Sequence, residues 1–167
     1  MSAPSSPATP APSAPLPSPP APSTSAPSTP ASARPVPAPT PDTQPFWDGC
    51  ARGELRLQRC RDCGKPYFYP RPVCPECGST DIEWFTASGR ATLYSYVINH
   101  RPARGFENDG PYAIAVVQLA EGPRMMTNLV GVPNTPEDLI LDMELQVTFE
   151  QRGDVSLPVF TPAGAQQ

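Results

Sequence analysis

The chain has 167 residues, 27 of them proline and five cysteine, with a formal charge of −4 at pH 7 and a pI near 4.9. That acidity argues against a non-specific nucleic-acid binder, which needs a basic face to neutralise phosphate. The longest apolar stretch, near residues 112–117, is far short of the ~20 residues of a helical membrane span, so a cytoplasmic protein without a membrane partner is expected.

Residues 1–43 come first. Up to position 41 they hold 15 prolines, no acidic or aromatic residue, and one charge, Arg34. Leu16 and Val36 are the only large aliphatics there. Such a composition buries too little apolar surface to offset the entropy of ordering its backbone, so it predicts a disordered linker or tail rich in polyproline-II conformers. It contains no continuous apolar run of the kind a secretory signal requires.

A short helix is predicted over 44–52, with Thr43 placed to cap it, Pro45 in its first turn, and Phe46 and Trp47 as apolar anchors. Gly53 ends it, and the alternating Glu54–Gln58 stretch reads as a strand leading into Cys60. Cys60, Cys63, Cys74 and Cys77 then form C-x2-C-x10-C-x2-C, each pair followed by glycine. Two Cys-x-x-Cys-Gly knuckles supply four sulfurs at tetrahedral geometry, the pattern of a closed structural zinc site, one Zn²⁺ per chain. Iron in a rubredoxin-type site is the rival metal and would make the protein an electron carrier; the ten-residue gap favours zinc. A disulfide reading needs an oxidising compartment. Cys50 lies outside the pattern and reads as a small buried hydrophobe. The aromatic run Tyr67-Phe68-Tyr69 is expected to cover the metal site and pack on the neighbouring domain, with binding of a planar ligand as the alternative.

After Ser88-Gly89 the pattern turns to β. Strands are predicted at 90–99, 112–119, 125–130, 142–151 and 155–160, with a turn at Glu121-Gly122-Pro123 and a loop or single helical turn over 133–141. The 142–151 strand alternates and should leave one face in water. Short antiparallel strands at this spacing point to a small barrel, for which the OB-fold is the usual five-stranded solution. The expected fold is mostly β: residues 44–87 a helix and rubredoxin-like zinc ribbon, 88–162 an OB-fold barrel, and 163–167 a tail. The connection 100–111 is the candidate functional loop.

The ordered set Phe46-Trp47-Asp48-Gly49, Leu57-Gln58-Arg59-Cys60, Cys63-Gly64, Pro70-Arg71, Cys74-Pro75, Cys77-Gly78 and Ser88-Gly89-Arg90 resembles one family. It is the acyl-CoA-associated zinc-ribbon/OB-fold family, domain-of-unknown-function family 35. His100-Arg101-Pro102, Gly122-Pro123, Thr127 to Gly131 and Leu157-Pro158 continue the likeness, which spans about 46–162. The Pro/Ala tail departs from the family pattern. The resemblance implies a non-catalytic accessory subunit of a thiolase-superfamily enzyme: a thiolase, a hydroxymethylglutaryl-CoA synthase or a lipid-transfer-type aldolase. It also implies a possible hot-dog-fold acyl-CoA hydratase partner, as in sterol side-chain degradation, and acyl-CoA at the shared interface.

The residues themselves point away from an enzyme acting alone. His100 is the single histidine, and neither a nucleophile elbow nor a Gly-rich phosphate loop is present. Residues 52–104 hold nine Arg/Lys against five Asp/Glu, whereas 105–167 hold two against nine. A 3′-phospho-ADP head favours arginine forks and aromatic faces. Arg71, Arg101 and Arg104, with Tyr69 and Phe106 nearby, are therefore the candidate CoA-entrance or partner-contact residues, against a plain reading as solvent-exposed ion pairs. The competing function is a ribbon/OB nucleic-acid module, since OB faces bind single strands through aromatics and basic grooves; salt-dependent oligonucleotide binding would distinguish it.

Overall fold

The structure is a computed structural model in which residues 34–103, 105–106 and 110–164 are described. The expected disorder of residues 1–33, the site residue Arg104 and the last three residues of the tail fall outside them. Residues 34–43 run without helix or strand before a turn that leads into helix α1, Gln44–Ala51. Phe46, Gly49 and Cys50 are its buried face, at the three- and four-residue spacing of one helical side. Thr43 sits at the N-cap, but its side chain makes no capping bond. Its hydroxyl is turned back to Thr40, accepting from the Thr40 N–H at 2.9 Å, so the expected cap is replaced by a turn that fixes the chain entering the helix. Gly53, with φ of 76°, closes the other end, its N–H donating to the Cys50 carbonyl.

The ribbon is a three-stranded antiparallel sheet of β1 (Arg56–Cys60), β2 (Pro66–Tyr67) and β3 (Ile82–Thr86), in the order β2-β1-β3. The barrel is an antiparallel sheet of β4 (Arg90–Asn99), β5 (Tyr112–Leu119), β6 (Arg124–Asn128), β7 (Glu144–Arg152) and β8 (Val155–Pro162), in the order β6-β5-β4-β7-β8. Its edges meet where Leu129 bridges Phe160 and the Val130 N–H donates to the Phe160 carbonyl at 2.8 Å. Closure of this kind removes the free edges that would otherwise invite pairing with other chains. The 133–141 stretch contains one helical turn, with the Leu139 N–H donating to the Thr135 carbonyl.

One apolar core runs through both parts. Phe46, Cys50, Leu55 and Leu57, from the helix and ribbon, belong to the same buried cluster as Leu93, Ala115, Val117, Leu145 and Phe160 of the barrel. The ribbon's own cluster is only Cys60, Tyr67 and Cys74, with Ile82 against it. Burial pushes the Cys50 thiol up to about 12, as befits the inert hydrophobe expected there.

Gly89 is the joint between the two parts. Its φ is 75°, and a Cβ there would sit on Val147 Cγ1 and 2.8 Å from Gln146 Nε2, while its carbonyl accepts the Val147 N–H. Gly89→Ala is expected to cost about 2–4 kcal/mol, from a left-handed backbone with a side chain plus overpacking against β7. A urea-unfolding midpoint unchanged from the parent would refute this.

Candidate metal centre

The two knuckles are near copies of each other because each glycine takes the same left-handed turn. Gly64 (φ 70°) donates to the Cys60 carbonyl at 2.9 Å, and Gly78 (φ 76°) donates to the Cys74 carbonyl at 3.0 Å. The turns aim backbone N–H groups at sulfur: Lys65 N–H at Cys63, Ser79 N–H at Cys77, and the Cys77 and Glu76 N–H groups at Cys74. The first knuckle is carried by the end of β1, and β3 leaves from beyond the second. Ribbon pairing of Cys60 with Ile82 therefore holds the knuckles together.

All four sulfurs lie within 4.8 Å of one another. Cys60 and Cys77 Sγ are 3.6 Å apart, and Cys63 and Cys74 Sγ are 3.7 Å apart. A tetrahedron with metal–sulfur bonds of ~2.3 Å has edges of about 3.8 Å, so the donors fit a zinc ion without rearrangement. Their electrostatics call for a cation. Burial opposes ionisation of Cys74, but the Cys77 and Glu76 N–H groups and the flanking thiols outweigh it and bring the thiol down to about 7. At Cys77 the Ser79 N–H favours the thiolate, yet Cys60, burial, Cys63 and Cys74 together push the thiol up to about 12. Four thiolates this close ionise together only around a positive ion.

Between the knuckles, Lys65 Nζ contacts Glu76 Oε2 at 2.6 Å, and Ser79 Oγ donates to Asp62 Oδ2. Both links are exposed and tie one turn to the other rather than touching sulfur. With four protein ligands the site has no open coordination position, so its chemistry is structural.

Of the candidate contact residues, Arg71, Tyr69, Arg101 and Phe106 are among those described. Arg71 is exposed; its backbone N–H donates to the buried Gln58 Oε1 at 2.8 Å and its Nε donates to the Tyr69 carbonyl. Tyr69 is exposed and packs edge-on to Phe68 and Phe46, at ring separations of 5.1 and 6.1 Å. Arg101 is exposed in the 100–111 loop, its N–H held by Asn99 Oδ1. Phe106 is stacked on Tyr112 at 5.5 Å. The aromatic run divides its work as expected: Tyr67 covers the buried cysteines, while Phe68 joins the barrel core.

Sequence reading missed two arginines. Arg34, in the proline-rich stretch, and Arg152, in the acidic half, both contact Glu150 Oε1 at 3.0 Å. Their guanidinium carbons lie 5.7 and 5.9 Å from the Phe106 ring centroid. Half-by-half charge counting could not find them: Arg152 pairs with Glu150 two residues before it on β7, and Arg34 reaches the same carboxylate from 116 residues away in sequence.

Comparison with known proteins places these observations in a family. Residues 47–83 match the family model described as "ChsH2, rubredoxin-like zinc ribbon domain", and residues 84–150 match "ChsH2, C-terminal OB-fold domain". The chain is 38% identical over 125 residues to a probable enoyl-CoA hydratase alpha subunit of Thermomonospora curvata, covering 73% of this chain and 38% of that protein. It is 35% identical over 126 residues to the 3-oxo-4,17-pregnadiene-20-carboxyl-CoA hydratase alpha subunit of Mycobacterium tuberculosis, covering 75% and 39%. The chain thus spans well under half the length of these two relatives. A DUF35 domain-containing scaffold protein of Methanothermobacter thermautotrophicus is 30% identical over 101 residues, covering 60% of this chain and 74% of that one. Among solved structures, "Ltp2-ChsH2(DUF35) aldolase" contains a chain matched with a TM-score of 0.67 at 35% identity, over 77% of this chain and 99% of that chain. The ribbon match and the fitted sulfur set together assign one structural zinc ion to Cys60, Cys63, Cys74 and Cys77. The chain belongs to the DUF35 family of zinc-ribbon/OB-fold proteins.

Proposed function

We propose that this chain is a non-catalytic accessory subunit that binds and stabilises a thiolase-superfamily acyl-CoA enzyme and helps form its CoA-thioester entrance. A lipid-transfer-type aldolase is the leading partner, ahead of a thiolase or synthase, and degradation of a sterol side chain is the leading setting. The observation that carries this reading is the likeness, at 35% identity over 99% of its length, to a chain of the Ltp2-ChsH2(DUF35) aldolase. The steroid-like CoA thioester in the name of the mycobacterial relative supports the setting, and the hydratase names support a hot-dog-fold hydratase as a further partner.

The chemistry of the chain agrees. Its closed metal site offers no position for substrate, and His100 lies exposed at the start of a loop. Affinity purification of the full chain from its native host, followed by mass spectrometry, is expected to recover a thiolase-superfamily protein; failure to do so sinks the reading. For the entrance, Arg71→Ala with Arg101→Ala in the reconstituted complex is expected to raise KM for the acyl-CoA about tenfold, as loss of two charge-assisted phosphate contacts would, with kcat kept. An unchanged KM would assign both arginines to the solvent-exposed surface alone.

A further inference from the structure

A groove of about 320 Å³ lies between helix α1, the ribbon and the barrel, with Phe46, Trp47, Tyr69, Met126 and Arg152 among its walls. Pro37 lines it too, so the chain's own 34–40 stretch already sits at this surface. Side-chain contacts hold that stretch in place. Arg34 Nη1 meets Glu150 Oε1 at 3.0 Å, and its guanidinium lies over the Phe106 ring. Val36 rests over the β7–β8 turn, where a Cβ on Gly153 would come within 3.3 and 3.6 Å of its two γ carbons. Downstream, the Thr40 N–H donates to Thr43 Oγ1 and fixes that end to helix α1. The upstream hold is shallow. The Arg34 and Glu150 side chains are exposed at 37% and 35%, and an ion pair so open to water is weak and screened by salt. Val36 stays 49% exposed. Pro35, Pro37 and Pro39 have no N–H, so they cannot donate to a strand beside them. The seated arrangement also carries a cost. Trp47 Nε1 and Arg152 Nε, on two side chains that line the groove, are buried without an acceptor among the described residues. Buried donors in that condition are unfavourable, and water supplies the missing acceptor once the cover lifts.

We propose that residues 34–40 form a releasable strap: the chain's own proline stretch is the occupant of this groove, latched at Arg34, and it lifts about Thr40 to bare Trp47, Tyr69 and Met126. Lifting exchanges a shallow apolar seat and a screened ion pair for hydration of two buried donors, so the seated and lifted states lie close in free energy. The prolines keep the strap extended in both states, so little backbone freedom separates them. Met126 and Tyr69, already exposed, then join Trp47 in one apolar surface. Ionic strength, acting on the latch, sets how much of that surface is bare. The strap needs no partner enzyme to operate, and its test uses the chain alone.

The test is solvent exchange of the Trp47 indole N–H in the zinc-loaded full chain at fixed pH, with the Trp84 indole and the Val117 amide as references. Exchange at Trp47 should quicken about three- to fivefold from about 10 mM to about 500 mM NaCl as the latch is screened, while both references hold still. Arg34→Ala should give the fast rate at low salt and remove the salt dependence. Val36→Gly with Pro37→Gly takes away the apolar seat and should quicken Trp47 about tenfold, with the melting temperature at the parent value. A Trp47 rate indifferent to both variants would overturn the strap, and so would a parent rate indifferent to salt. Trp47 and Val117 quickening together would overturn it as well, since that is opening of the whole fold.

Discussion

Replacing Cys60 by serine is expected to remove zinc, unfold the ribbon and abolish partner binding in one step. Cys60 is fully buried at the end of β1, where it both ligates and forms the small ribbon core with Tyr67 and Cys74. That core is too small to hold three short strands, and structural zinc supplies about 10–16 kcal/mol in such domains. The damage does not stop at the ribbon. Leu55 and Leu57 precede Cys60 by a few residues and belong to the barrel core, so a ribbon that lets go of its metal also withdraws two buried leucines from the barrel. Metal analysis should fall from one zinc per chain to near none, and the main thermal transition should move down with it. A Cys60→Ser protein with one zinc, the parent melting temperature and full partner binding would remove the scaffold role.

Phe46→Ala carries the second large effect, about 3–5 kcal/mol, the cost of deleting a fully buried phenyl ring. The ring sits 5.0 Å from Trp47 and 5.6 Å from Phe68 and is part of the cluster that includes Phe160 of β8. It is an apolar link between helix, ribbon and barrel, so its loss should split a single unfolding transition into two. Followed by a zinc-release dye and by far-ultraviolet dichroism, the two signals should separate in urea. Coincident curves at the parent midpoint would show that the parts are joined by something else. Phe46→Leu, which keeps most of the volume, should cost less and stay cooperative.

Where local chemistry decides structure, the sequence was readable. The cysteine spacing specifies the metal site, and β4 and β5 fall on the expected residues because both are long and strand-like in composition. Strand β3 was not legible. Ile82–Thr86 is five residues with two charged or polar members, and only its pairing, with Leu57 opposite Phe85 and Gln58 opposite Trp84, makes it a strand. The helix cap failed for a similar reason, since the Thr43 hydroxyl had a competitor three residues upstream. Strand β7 was expected to show one wet face, yet from Gln146 to Glu150 it is half-buried throughout. It pairs with β4 only over Glu144–Gln146 and then turns away along β8, so neither face is fully open. The candidate contact residues were selected by sequence proximity and charge, which say nothing of what each side chain touches: the Arg71 Nε meets the Tyr69 carbonyl, and Phe106 stacks on Tyr112. Arg34 and Arg152 meet at Glu150 because the 34–40 stretch, more than a hundred residues away in sequence, packs against the end of β7.

The uneven cover over the four sulfurs has a kinetic consequence. Cys60 and Cys74 are enclosed, while Cys63 and Cys77 face solvent. A chelator can therefore engage the ion from one side and displace the outer pair while the inner pair still holds it. Metal transfer in and out of this protein is then an associative exchange whose rate follows the acceptor's concentration. Only its final step is coupled to opening of the fold. In a cell the ribbon would accordingly give up its zinc at a rate set both by the competing acceptor's concentration and by opening of the fold.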